Sequence, residues 1–107
     1  MNQSNSTYRA SGVLETPNAH SMLFKLCKHF AKKINVTFDE HCGFARFPIG
    51  DCELRADSAR LSFDCICDSK SNLASLQEII DLHVTLITRR EPRQVTWTRN
   101  HLPSLAS

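Results

Sequence analysis

The sequence predicts an α+β fold: a two-layer sandwich in which two helices cover one face of a mostly antiparallel sheet, in the order β-α-β(4)-α-β. Three observations carry this. Residues 23–34, Leu-Phe-Lys-Leu-Cys-Lys-His-Phe-Ala-Lys-Lys-Ile, put Leu23, Cys27, Phe30 and Ile34 in one narrow sector at about 100° per residue. Lys25, Lys28 and Lys32 fall opposite, so this stretch is a helix whose apolar stripe needs a flat partner. Residues 71–90 repeat the helical spacing with Leu73, Leu76, Ile80, Val84 and Ile87. Most of the remaining chain alternates apolar and polar residues with the period of half-buried strands.

The elements follow in order. Residues 7–14 alternate Thr7, Arg9 and Ser11 with Tyr8, Ala10, Gly12 and Leu14, a first strand. Thr16-Pro17 opens the first helix, because threonine accepts a bond from a first-turn amide and proline gives up an amide that has no partner there. That helix is expected from about Pro17 to Lys33. Ile34, Val36 and Phe38 form a strand, Asp39-Glu40-His41-Cys42-Gly43 a turn, and residues 44–47 the return strand. After Pro48-Ile49-Gly50, residues 51–56 put Cys52, Leu54 and Ala56 on one face, with Asp51, Glu53 and Arg55 on the other. Leu61, Phe63, Cys65 and Cys67 repeat the pattern. A two-residue loop between these last strands pairs Ala56 with Leu61, Leu54 with Phe63 and Cys52 with Cys65, which keeps the apolar residues together. Ser71 is placed to cap the second helix, and Pro92 bars its continuation. Val95 to Thr98 is a last short strand carrying Trp97.

A length of 107 residues suits one domain, with an ordered core over about 7–99 and flexible ends at 1–6 and 100–107. Apolar and charged fractions of 41% and 22% are those of a globular protein, and no apolar run approaches the ~18 residues of a membrane span. The opening residues lack the pattern of an export signal. With an odd count of five cysteines, this predicts a cytoplasmic protein with free thiols. A net charge of +2 lacks the basic excess of a nucleic-acid binder, and Tyr8 and Trp97 are a thin supply of stacking rings.

Thr16-Pro17, the run from Leu26 to Ile34, Gly43, Phe47-Pro48-x-Gly50-x-Cys52-x-Leu54-x-Ala56, Glu78 and His83 on the second helix, Arg90-Glu91 and Trp97 together resemble the bacterial domain of unknown function 2218 family, over about residues 7–99. The resemblance implies no activity. It implies a loose association with bacterial iron handling, since such domains are sometimes joined to siderophore-interacting flavin reductases. The family pattern often has a second histidine where this chain has Lys32, so a role requiring that histidine does not carry over.

The residues open to chemistry each have a structural reading beside the functional one. Cys27 and His29 point about 200° apart on a helix, so they do not chelate one ion together, and Cys27 reads as a small buried apolar side chain. Cys52, Cys65 and Cys67 share a face, but their spacing matches no zinc signature. His41 and Cys42 add to a site only if their turn folds back over the sheet edge. His83 lies within the apolar face of the second helix and is expected to be withdrawn from water, either as a hydrogen-bonded core residue or as the centre of a pocket with Arg90 and Glu91 as polar company. The candidate pocket is therefore His83, Glu91, Arg90, Cys27, His29, Cys52 and Trp97. No catalytic residue is assigned, and no metal or cofactor is expected. The chain lacks a phosphate-binding glycine loop, a Gly-x-Ser-x-Gly elbow and a His-Glu-x-x-His motif. The functional expectation is a small binding or accessory domain for a small ligand or a protein, without membrane or nucleic acid. A small enzyme built on His83 with a thiol or carboxylate is the alternative.

Overall fold

The computed structural model describes residues 7–100. Eight elements follow one another: β1 (Tyr8–Glu15), α1 (Ala19–Phe30), β2 (Asn35–Phe38), β3 (Cys42–Phe47), β4 (Gly50–Ala56), β5 (Arg60–Cys67), α2 (Lys70–Ile87) and β6 (Thr96–Asn100). The strands form one antiparallel sheet in the order β2-β3-β4-β5-β1-β6, and both helices lie on one face. This is the α+β sandwich that the alternation predicts. Among the described residues no helix is long and apolar enough to cross a membrane.

Strands β2 to β5 are a meander, and the pairing of β4 with β5 is Ala56↔Leu61, Leu54↔Phe63 and Cys52↔Cys65. A two-residue loop, Ser58-Ala59, sets that register, with the Asp57 amide donating to the Arg60 carbonyl at 3.0 Å. Strand β1 then enters between β5 and β6, pairing Leu14 with Leu61 and Gly12 with both Phe63 and Trp97. The covered face contributes Ala10, Leu14, Ala45, Cys52, Leu54, Leu61, Phe63 and Cys65 to the core, and the helices add Leu23, Leu26, Cys27, Phe30, Leu73, Leu76, Ile80 and Val84. Leu26, Leu54, Phe63, Leu76 and Ile80 are wholly enclosed, each contributing roughly 1.5–3 kcal/mol of burial.

Several boundaries differ from the sequence expectation for local reasons. Helix α1 begins at Ala19, since Thr16 caps a turn before it: its Oγ1 accepts from the Asn18 amide at 3.1 Å. At the other end, the amide of Lys33 bonds the Phe30 carbonyl at 3.0 Å, so the chain tightens after Phe30 instead of remaining α-helical. In α2 the cap is Ser69, which accepts from the Asn72 amide at 3.1 Å; Ser71 lies within the first turn. That helix ends at Ile87, where the Thr88 side chain donates to the Val84 carbonyl at 2.8 Å. Gly43 sits within β3 rather than in the turn, buried beneath α1, where an added Cβ would lie 2.6 Å from Cys27 Sγ. Strand β6 spans Thr96–Asn100, so it takes in Asn100, which the sequence places in the flexible tail 100–107; the rest of that tail and residues 1–6 lie outside the described residues.

Candidate functional site

Helix α2 carries more apolar surface than the sheet covers. Its buried residues are Leu73, Leu76, Gln77, Ile80 and Val84, and at about 100° per residue Ile79, His83 and Leu86 continue the stripe on the side next to α1, while Leu82 lies on the outer face opposite the sheet. Ile79 and His83 are half-buried, while Leu82 and Leu86 are 58% and 53% exposed.

His83 stands at the border of that surface. Its Nδ1 lies 2.7 Å from the Ile79 carbonyl oxygen, a backbone acceptor, so Nδ1 carries the proton and Nε2 is the free nitrogen. Its ring meets His29 of α1 with centroids 4.9 Å apart, and Phe30 at 5.0 Å. Phe30 in turn packs edge-on against Phe47 of β3 at 5.1 Å. Four rings thus run from the surface where α1 meets α2 down to the sheet in edge-to-face contacts, the arrangement favoured by aromatic quadrupoles. His83 is therefore less withdrawn than its place in the apolar stripe predicts, because the stripe is wider than the surface available to cover it.

Of the predicted pocket, His29 and His83 come together. Cys27 lies beneath α1 against Gly43, and burial pushes its thiol up to about 11. Cys52 faces Cys65 across the strands with sulfurs 3.8 Å apart. Contact with Cys65, added to burial, raises Cys52 well above the ordinary thiol range. Burial likewise raises Cys67 to about 11. The thiols of Cys27, Cys52 and Cys67 are thus held in the protonated form at neutral pH and are poor nucleophiles. Trp97 donates its indole N–H to Asp81 Oδ1 at 2.8 Å, pinning β6 to α2. Arg90 and Glu91 lie past the last turn of α2 and are exposed, with the Glu91 carboxylate 3.5 Å from Arg93.

The open face of the sheet is polar and internally matched. A depression there is lined by Arg9, Ser11, Phe44, Asp51, Glu53 and Asp64. Glu53 and Asp64 are direct cross-strand neighbours, a repulsive pair, relieved where Arg55 meets Glu53 at 3.1 Å and Ser11 donates to Asp64 at 2.8 Å.

One constellation was not visible in the residue spacing. The β2–β3 turn leans on the start of α1, bringing His41 Nδ1 to 3.3 Å from His20 Nε2. The only local signal is Asp39, whose Oδ1 accepts from the amides of His41 and Cys42, each at 2.8 Å. Those two bonds hold its carboxyl below the usual aspartate range and shape the turn. Among the described residues, no group of three or more His, Cys, Asp or Glu is arranged to hold a metal.

Comparison with curated proteins gives no match. Among solved structures, the NMR structure of PA4090 from Pseudomonas aeruginosa superposes with a TM-score of 0.72 at 24% identity, covering 85% of this chain and 95% of that one. At that identity the likeness is one of fold. A family model, described as an uncharacterized protein conserved in bacteria, matches residues 11–98, from within β1 to within β6. The match takes in both helices and every strand, and on that ground the chain belongs to the bacterial domain of unknown function 2218 family.

Proposed function

We propose that the domain is a cytoplasmic binding module, not an enzyme, and that it takes an acidic partner protein on the outer surface of the α1–α2 layer. The observation that carries this reading is the meeting of exposed apolar side chains on α2 with the lysine row of α1, the acidic groups of this layer being Glu78 and Asp81 on α2. Leu82 and Leu86 are more than half exposed, and Lys25 and Lys28 lie on the exposed side of the neighbouring helix, with Lys32 in the turn after it and Arg89 and Arg90 beyond the end of α2. Covering two leucines supplies roughly 1.5–3 kcal/mol each, and the cations steer and orient an anionic partner. A second copy of this chain would bring its own lysine row against the first, so like charges oppose self-association through this face. The protonated, buried thiols argue against a thiol partner for His83, and Glu91 pairs with Arg93 instead. The association with iron handling implied by the family resemblance has no ligand set among the described residues to support it.

The test is an NMR titration with a synthetic amphipathic helical peptide bearing leucines at i, i+3, i+4 and i+7 and glutamates elsewhere. Its counterpart has lysine in place of glutamate. The acidic peptide is expected to shift the imidazole signals of His29 and His83, to weaken with added salt, and to lose binding to Leu82→Ser/Leu86→Ser. Equal binding of both peptides, or shifts confined to the open sheet face, would refute the assignment.

A further inference from the structure

We propose that His20 and His41 form a surface bis-imidazole site for a divalent ion of tetrahedral preference, Zn2+ in particular, which clamps the start of α1 to the β2–β3 turn. Their facing nitrogens are 3.3 Å apart, and the ring centroids 5.3 Å apart at an interplanar angle of 80°. Two imidazole nitrogens each about 2.05 Å from one tetrahedral zinc stand about 3.35 Å apart, with ring centres about 5.2 Å apart. A head-to-head N–H···N bond of the observed length would instead set the ring centres about 5.6 Å apart, and it would be long for a hydrogen bond, whose usual N–H···O length is about 2.9–3.0 Å. The observed pair of distances lies nearer the coordination edge than the linear head-to-head bond. Square-planar or octahedral ions, with ligands at about 90°, need nitrogens about 2.9 Å apart, a poorer match to the observed 3.3 Å than the tetrahedral edge of zinc.

The surroundings fit a cation. His41 presents Nδ1 to His20, so its proton belongs on Nε2, and Glu40 Oε1 lies 3.7 Å from that Nε2. At that distance the carboxylate does not hydrogen-bond the ring, but it stands on the side of the non-ligating nitrogen, where the partner of a metal-bound histidine is found. The Asp39 bonds hold the His41 backbone in place, and the Asp57 carboxylate interacts electrostatically with His20. The side chain of His41 is 68% exposed, so the ion enters without any opening of the fold. Two protein ligands leave two positions to water, so the ion exchanges freely and is lost on dialysis. That separates this site from the strand thiols, whose spacing predicts no retained metal.

The test uses untagged full-length protein at pH 7.5, titrated with ZnCl2 against MgCl2 while the imidazole Hε1 signals are followed. The signals of His20 and His41 are expected to move together and saturate at one equivalent, while those of His29, His83 and His101 stay in place. His20→Asn and His41→Asn should each weaken Zn2+ affinity at least tenfold and abolish the rise in Tm that Zn2+ gives the parent protein. Cys42→Ser should bind as the parent does. Loss of binding in Cys42→Ser would assign the ion to a thiolate, and unchanged affinity in either asparagine variant would show that the two rings do not act together. Either result overturns the proposal, as does a Zn2+ titration that moves the His29 and His83 signals instead.

Discussion

Gly43→Ala tests how closely α1 rests on the sheet. Gly43 is paired with Phe38 on one side and Leu54 on the other, so its backbone is ordinary strand and alanine is tolerated by its dihedral angles. What it lacks is room: the new Cβ would meet Cys27 Sγ at 2.6 Å, with Phe38 Cβ at 3.4 Å behind it. An ordinary contact is about 3.5–4.0 Å, so helix or strand must yield by roughly 1 Å. Such overpacking costs about 1–3 kcal/mol. Cys27→Ala alone leaves a small void in the same place and costs about 1 kcal/mol, a little more than the ~0.8 kcal/mol of one buried methylene. Combined, the two changes relieve each other, because the alanine methyl of one occupies the space vacated by the sulfur of the other. The double variant is therefore expected about 1 kcal/mol below the parent protein rather than the roughly 2–4 kcal/mol below it that addition gives, a coupling of about 1–3 kcal/mol. Urea unfolding followed by circular dichroism measures all four corners of the cycle. Losses that add within about 0.5 kcal/mol would show that Cys27 Sγ and Gly43 are not in contact, and the seating of α1 on β3 would be wrong.

Three further outcomes are expected. Native protein should take up one alkylating label quickly, at the exposed Cys42, and all five only when denatured, since Cys27, Cys52, Cys65 and Cys67 are buried; intact mass counts the labels, and a second fast label would contradict the packing. Ser69→Ala should cost about 1 kcal/mol through loss of the cap on α2, whereas Ser71→Ala should change unfolding midpoints little. Asp39 and Asp57 have carboxyls lowered mainly by backbone amide bonds; a lowered folded value gives stability that is complete above the unfolded value of about 3.9 and is lost as pH falls through the folded one. The Asp39→Asn/Asp57→Asn variant should therefore differ most from the parent protein at pH 6 and converge with it near pH 2, read as urea midpoints across that range; a constant difference would remove the titration from the explanation.

What could be read from the sequence follows from the reach of each signal. The β4–β5 register was legible because a two-residue loop and strict alternation of Cys52, Leu54 and Ala56 against Leu61, Phe63 and Cys65 leave one pairing that keeps these residues on the covered face. Gly43 was misassigned to the turn because glycine's two uses, bending the chain and permitting close approach, look the same without the helix above it. The width of the α2 stripe was legible, but how much of it the sheet would cover was not, so His83 was placed deeper than it lies. The contact of His20 with His41 joins residues 21 positions apart through the lean of a turn on a helix, and neither periodicity nor a spacing motif records such a contact.

The central place of β1 also orders events during synthesis. Tyr8 pairs with Cys67 and Gly12 with Phe63, so the strand of this domain that is made before the others is among the last to find its neighbour. At roughly 5–20 residues per second the intervening chain takes several seconds to appear, whereas a hairpin closes in about 1–10 μs. Strands β2 to β4 with α1 on them can thus be in place while β1 still waits for β5. A chain arrested before β5 emerges carries β1 unpaired, an open strand available to a chaperone or a second nascent chain.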